Sequence, residues 1–354
     1  MDKKYIIPKS FSEFIGSSRF ILCVMVVVIH SRMISGHPVE ADNWVLNFMR
    51  MMSLGISSVA VPIFMLFSGY LLCAKYLNGD NIIASYRDLL KKKSKTLLLP
   101  YIIWNVIGLA YIVLRHYFNA EVYVPNLFEA LVSIPEESTL LGFPADGPLW
   151  FVRDLIIFNL ISPLIFWIMN KLGKWGFVFA SVYYLVSALL PHYPFSSINT
   201  FLVGMSLCYI DLSKLDVRWK SIVLLPTICL FIYLTFPLGG GNYLYEDVSL
   251  MPLFVLLFAW SMYLISISYK ESTKQKLNDL SKYSFFIYAS HGMYANLMTK
   301  TITAVLCKVH IGYSTSLLFG YVATPIIIVA LSILICRIMI KYCPPLYRIL
   351  CGGR

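Results

Sequence analysis

Charge is scarce in this chain. Only 13% of its 354 residues are charged, against about 25% in soluble domains. Hydrophobic residues make up 58% and aromatic residues 15%, and the mean hydropathy is +0.73. That balance excludes a soluble globular enzyme, a disordered chain and a fibrous protein. Eight cysteines are present, but no CxxC spacing, so the usual signatures of zinc and dithiol sites are missing. Cys23, Cys73, Cys208, Cys229 and Cys336 sit in apolar runs and read as reduced, buried thiols. No small-residue cleavage site follows the first apolar run, which marks it as a retained span. No heptad, solenoid or inverted repeat is visible. What is there is a polytopic, all-α membrane helix bundle.

Apolar stretches fall at about 19–36, 54–74, 96–117, 149–169, 176–192, 195–210, 220–237, 249–268, 283–305 and 315–338, each near the length of a membrane crossing. Ten spans with short loops use the whole length. The expectation is a single membrane-embedded domain over 1–354 with no appended periplasmic domain. Basic residues orient it. With the N-terminus in the cytoplasm, 23 of the 29 Lys and Arg residues fall on the cytoplasmic side. The other six are Arg32, Arg50, Arg115, Arg153, Lys300 and Lys308. Both termini are therefore expected inside. The same distribution accounts for the net charge of +11 without nucleic acid.

Ionisable groups inside lipid are costly, so each is a candidate for function. Arg19 and His30 are 11 residues apart, which leaves about 20° between them around a helix and roughly 16 Å along it. They share a face, with the arginine expected at the cytoplasmic mouth and a base for neutral pH above it. The bland readings are a snorkelling arginine and a packed histidine; the shared face favours a path for an anionic reagent. A basic segment with Arg87, Lys91, Lys92, Lys93 and Lys95 runs into Pro100, expected as a loop that meets anionic lipid or phosphate groups. The outer segment of about 118–148 is long enough to cap a site. Asp146 at its end is a candidate helix cap, Trp150 an interfacial anchor, and Arg153 and Asp154 neighbours that point apart. His291 sits about two turns into the ninth stretch, with a satisfied core histidine as its bland reading.

In this order, these residues resemble the acyltransferase family 3 membrane proteins, which O-acylate carbohydrates. The family's basic-(ten residues)-His signature matches Arg19 and His30, and its SerGlyTyr segment matches Phe67-Ser68-Gly69-Tyr70. The basic run into a proline matches Lys91–Pro100, the LeuTrp-aromatic opening matches Leu149-Trp150-Phe151, and a late element matches Tyr288–His291. The likeness covers nearly the whole chain. One departure is Lys93, where members often have arginine, a point charge in place of a bidentate fork.

The resemblance implies an acyl-CoA donor, acetyl-CoA foremost, used as a co-substrate from the cytoplasm of a bacterial inner membrane, with no bound cofactor or metal. Arg19, Lys92, Lys93 and Lys95 would hold the phosphates. The acceptor it implies is a sugar of a surface glycan, free or lipid-linked. His30 would act as general base, with Arg19 and His291 completing the catalytic set and His291 donating to the oxyanion or orienting the acceptor. Ser68, Tyr70, Asp146, Trp150 and Arg153 are the acceptor-binding candidates. An acyl-enzyme on Ser31 or Ser68 is the alternative chemistry. Rival readings are a transporter or flippase, which the absence of paired broken spans disfavours, and a scaffold with packed histidines. An acyltransferase of another family, built on an Asn/His pair, is poorly matched by Asn296 after His291.

Overall fold

Helix α1, Lys9–Ser31, carries the first apolar run in a computed structural model that describes residues 5–32, 43–79, 81–120, 122–132, 142–187, 196–211 and 251–353. The helix begins at Lys9, earlier than the expected span, because Phe11, Phe14 and Ile15 extend its buried stripe toward the N-terminus. Arg19 therefore lies near the middle of the helix and not at its beginning, which corrects its expected position.

Two long helices follow, each interrupted by a π turn. Helix α2 (Asn43–Arg50) passes through a π turn at Met51–Ile56 and a 3-10 turn at Ser57–Val59 into α3 (Ala60–Leu77). Helix α4 (Ile82–Lys93) passes through Ser94–Leu98 into α5 (Leu99–Phe118). The basic segment expected as a loop is thus helical. Its Leu, Lys and Arg residues favour helix, and the first breaker is Pro100, which has no N–H to donate to the carbonyl four residues back. The widened turn makes room for the proline ring.

A short α6 (Leu127–Leu131) opens on a capping box between Asn126 and Glu129. Gly147–Leu149 forms a 3-10 turn before α7 (Trp150–Leu160), and α8 (Ser162–Leu172) follows at a 69° bend. Pro163 causes that break, and Ser162 Oγ takes up the Asn159 carbonyl at 2.8 Å. Then come α9 (Lys174–Ser187), α10 (Ser196–Ser206), α11 (Met251–Ile267) and α12 (Glu271–Ser281). The chain continues with α13 (Ser284–Ser290), a 3-10 turn at His291–Met293 and α14 (Ala295–Lys308). It ends with α15 (Tyr313–Tyr342) and α16 (Pro344–Leu350). The described residues form no strand element.

Among the described residues, four continuous helices are long and apolar enough to cross a membrane: Lys9–Ser31, Trp44–Leu77, Ile82–Phe118 and Tyr313–Tyr342. The bent pair Gly147–Leu160 and Ser162–Leu172 makes a fifth if it is one span. Of the other expected stretches, 195–210 and 249–268 appear as the shorter apolar helices Ser197–Tyr209 and Pro252–Ile267. The stretch at 283–305 is broken at His291, and 220–237 lies outside the described residues. Exposed rows such as Ile102, Val106 and Val113 on α5, and Phe319, Ile326 and Leu334 on α15, give the helices apolar outer faces. A surface of that kind belongs in lipid. This is a membrane protein.

The chain divides into two compact units. The first holds Met1–Arg19, Val59–Lys93 and Asp154–Ser281. Within it α3 lies against α10 at backbone distance: a Cβ on Gly69 would fall 2.0 Å from Phe201 O, and one on Gly204 2.0 Å from Leu66 O. Small residues permit that approach, as in other membrane helix pairs. The second unit holds Phe20–Ser58, Ser94–Arg153 and Lys282–Arg354. There α14 packs along α15, and α16 closes on α5 through a hydrogen bond from Trp104 Nε1 to Leu350 O at 3.1 Å.

Candidate active site

The second unit brings His30 and His291 together. Their ring centroids are 4.8 Å apart at an interplanar angle of 70°, and His291 Nε2 lies 3.1 Å from His30 Nδ1. His30 is half-buried in the last turn of α1, and His291 is fully buried. The end of α1 is fixed by side chains that take up carbonyls a helix leaves unpaired. Ser53 Oγ donates to Val28 O at 3.2 Å, Thr299 Oγ1 to Ser31 O at 2.9 Å and Asn296 Nδ2 to Arg32 O at 3.4 Å. His291 is held by the break between α13 and the 3-10 turn that it opens.

Hydrogen bonding settles which nitrogens carry protons in the neutral pair. A carbonyl oxygen only accepts. His291 Nδ1 is 2.6 Å from Tyr288 O and 3.2 Å from Ile287 O, so it bears the hydrogen. His30 Nδ1 is 2.9 Å from Val26 O and bears one as well. His30 Nδ1–H is then shared between Val26 O and His291 Nε2. The remaining nitrogen, His30 Nε2, carries an open lone pair. The arrangement is that of a base oriented by a second group.

Asp146 lies beside the same turn. A Cβ on Gly292 would meet Asp146 Oδ1 at 3.1 Å and Pro148 Cδ at 2.6 Å, so only glycine fits after His291. The Asp146 backbone N–H donates to Asn105 Oδ1 at 3.1 Å, and Tyr288 donates its hydroxyl to Pro148 O. Gly108 lets the 145–146 backbone press against the middle of α5. Asp146 is 1% exposed, and neither carboxylate oxygen has a hydrogen-bond partner among the described residues. Burial pushes this carboxyl well above the usual carboxylate range. One expectation is corrected: the side chain caps no helix. It lies under packed backbone.

The other expected residues sit as follows. Arg19 is exposed on α1 and has no polar partner among the described residues. Lys92 and Lys95 are exposed and Lys93 is half-buried along the helical basic segment. Ser68 belongs to the first unit and donates to Phe64 O of its own helix at 2.8 Å. Tyr70, also in the first unit, is 0% exposed, bonds Tyr5 Oη at 2.9 Å and packs on Phe11 with centroids 4.4 Å apart. Trp150 is half-buried at the start of α7. Arg153 Nη1 donates to Val132 O at 2.8 Å and Gly142 O at 3.0 Å, while Asp154 accepts from Ser197 Oγ at 2.7 Å. The two neighbours do find different partners. No group of three or more His, Cys, Asp and Glu among the described residues is placed to hold a metal ion.

Sequence reasoning named both histidines without pairing them and weighed Asn296 only as a partner for His291; it missed Gly292 and the supporting side chains Ser53 and Thr299. A glycine directly after a histidine, inside an apolar helix, was the available signal of a break there.

Comparison with known proteins bears on the same residues. The profile of acyltransferase family 3, described as an acyltransferase domain, matches residues 13–340. Succinoglycan biosynthesis protein ExoH of Rhizobium meliloti (strain 1021) is similar, with 23% identity over 309 residues that cover 84% of this chain and 79% of that protein. No solved structure matches.

Proposed function

The chain belongs to acyltransferase family 3, and from that premise we propose a membrane O-acyltransferase that moves an acyl group, acetyl foremost, from cytoplasmic acyl-CoA to a hydroxyl of a surface-glycan sugar. The acceptor class is O-antigen, exopolysaccharide or a lipid-linked precursor, and the biosynthetic role in the name of its relative ExoH supports a polysaccharide. The distribution of basic residues supports a bacterial inner-membrane protein of about ten spans with both termini in the cytoplasm. Arg19, Lys92, Lys93 and Lys95 are assigned to the phosphates of the donor.

The observation that carries the reading is the oriented histidine pair. In the proposed step His30 Nε2 takes the proton of a sugar hydroxyl as that oxygen attacks the thioester carbonyl carbon. The tetrahedral oxyanion then collapses, the C–S bond breaks, and the coenzyme A thiolate takes the proton from His30 Nε2. While His30 is an imidazolium, its Nδ1–H bonds to Val26 O and His291 Nε2 become charge-assisted and strengthen. His291 is therefore read as the orienting partner, because both of its nitrogens are engaged. Direct transfer is favoured over an acyl-enzyme. Ser31 Oγ and Ser68 Oγ each donate to a carbonyl of their own helix at 2.8 Å, so neither hydroxyl faces a base.

The test uses membranes containing the protein, radiolabelled acetyl-CoA and bacterial glycan acceptors, comparing wild type with His30→Ala at matched expression. Wild type is expected to place base-labile label on glycan. The variant should lose roughly a hundredfold or more, the usual contribution of a general base. Equal label in both would remove His30 from the chemistry. Failure across a broad acceptor panel, with glycan-dependent flux in vesicles lacking acyl-CoA, would replace the enzyme reading with transport.

A further inference from the structure

Arg32 is the first residue beyond α1 and two residues past His30. Its carbonyl is held by Asn296, but its guanidinium makes no hydrogen bond or ion pair with any described residue, and Nε is buried. Among the described residues, none supplies it with a counter-ion. Val45 and Met49 of α2 pack with Leu317 and Tyr321 of α15 and with Val28 of α1. The Tyr321 hydroxyl lies 2.8 Å from Ser53 Oγ, which itself donates to Val28 O. That packing brings the end of α2 toward Arg32, and the charge of Arg50 acts on the Arg32 guanidinium unfavourably. No carboxylate among the described residues acts on it.

Packing thus holds a cation, partly sealed from water and without a partner among the described residues, two residues past a base. Leaving such a group unpaired is costly. A guanidinium fork is matched by an oxyanion, which it binds through parallel N–H···O bonds. We propose that Arg32 binds an anionic group, carboxylate or phosphate, carried by the acceptor close to the hydroxyl that reacts at His30. The inference rests on the acyltransferase reading for the identity of the acceptor. Its two sources are a uronate on the sugar and a phosphate joining sugar to lipid, and they present the same chemistry to arginine.

Binding tests the proposal without acyl transfer. The full chain in a maltoside detergent is heated with trigalacturonate or its methyl ester, and with an isoprenyl pyrophosphate or the parent isoprenol. Wild type should be stabilised by the charged member of at least one pair and not by its neutral counterpart; the pair that responds identifies the source. Arg32→Gln should weaken that apparent affinity roughly tenfold to a hundredfold, Arg32→Lys should recover part of it, and His30→Ala should keep it. If Arg32→Gln is unstable by itself, Arg32→Lys against wild type carries the comparison, with a smaller loss in the same direction. An unchanged response in Arg32→Gln, equal responses to charged and neutral ligands, or no response to either pair overturns the proposal. Anion binding that needs Arg32, in a protein that transfers no acyl group, leaves this site standing and sinks the acyltransferase chemistry alone.

Discussion

The aromatic cluster around Tyr70 and the turn around His291 both bury polar groups, but their accounts differ. In the first, Tyr70 is enclosed by Phe11, Phe14 packs on Phe67 with centroids 5.0 Å apart, and the Tyr70 and Tyr263 hydroxyls bond Tyr5 and Ser10. In the second, both Asp146 oxygens are without a hydrogen-bond partner among the described residues, and His30 Nε2 has an open lone pair. Arg32 Nε, just beyond, is also buried without a partner. Buried polar atoms normally find partners, so those that do not call for an explanation. The difference teaches where to look in a membrane bundle. A satisfied tyrosine is structure, whereas an unsatisfied carboxyl beside a histidine pair is a cost kept for another reason.

The largest effect should come from the orienting histidine. His291→Phe preserves the buried aromatic volume but removes the acceptor that holds the His30 Nδ1–H. His30 would be held by its Val26 O bond alone, and loss of alignment at a reacting group costs about a hundredfold. Acyl transfer per folded molecule should fall by that order while the thermal midpoint moves little. A variant within twofold of wild type would show that His30 needs no partner, and the contrast between the two regions would lose its chemical meaning.

Asp146→Asn separates cost from use. Burial raises the carboxyl in the folded chain, whereas the unfolded chain ionises near the ordinary value of about 3.9. Between those values the folded state holds a proton that the unfolded state has released. Unfolding free energy therefore falls as pH rises, by up to about 1.4 kcal/mol per pH unit. The amide keeps the neutral form at every pH. Asp146→Asn should gain on wild type as thermal unfolding is moved from pH 5 to pH 7, and activity should drop if the carboxyl serves the reaction. Parallel pH curves for the two proteins would mean that the carboxyl is ionised or hydrated in the native state.

Much of this is legible in the amino-acid sequence. Low charge and the apolar runs gave an all-helical membrane protein, because lipid permits few other spanning structures. The face shared by Arg19 and His30 follows from helical periodicity alone. The breaks were less legible. Pro163 and Gly292 were visible in the sequence, but whether a proline or glycine kinks, widens or ends a helix depends on which neighbour takes up the freed backbone groups. Ser162 does so at one break, and the π turn before Pro100 absorbs the other proline. The start of α1 was misplaced because hydropathy undervalues an amphipathic stretch whose Phe11, Phe14 and Ile15 are buried by partners remote in sequence. The pairing of His30 with His291, and the burial of Asp146 under Gly292 and Pro148, are tertiary facts that no local spacing encodes.

The smallest effect should fall on the satisfied side of the comparison. Tyr70→Phe keeps the ring on Phe11 and removes one hydroxyl, leaving Tyr5 Oη without its 2.9 Å partner. A net hydrogen bond of this type is worth about 1 kcal/mol, so the midpoint should drop slightly. Acyl transfer per folded molecule, with KM for donor and acceptor alike, should stay within twofold. The family's SerGlyTyr segment would then be read as a packing element, its glycine admitting the Phe201 backbone and its tyrosine closing the aromatic cluster. A raised KM at unchanged stability would return Tyr70 to substrate binding, and it would mean that the Tyr5 hydroxyl marks a place substrate takes over.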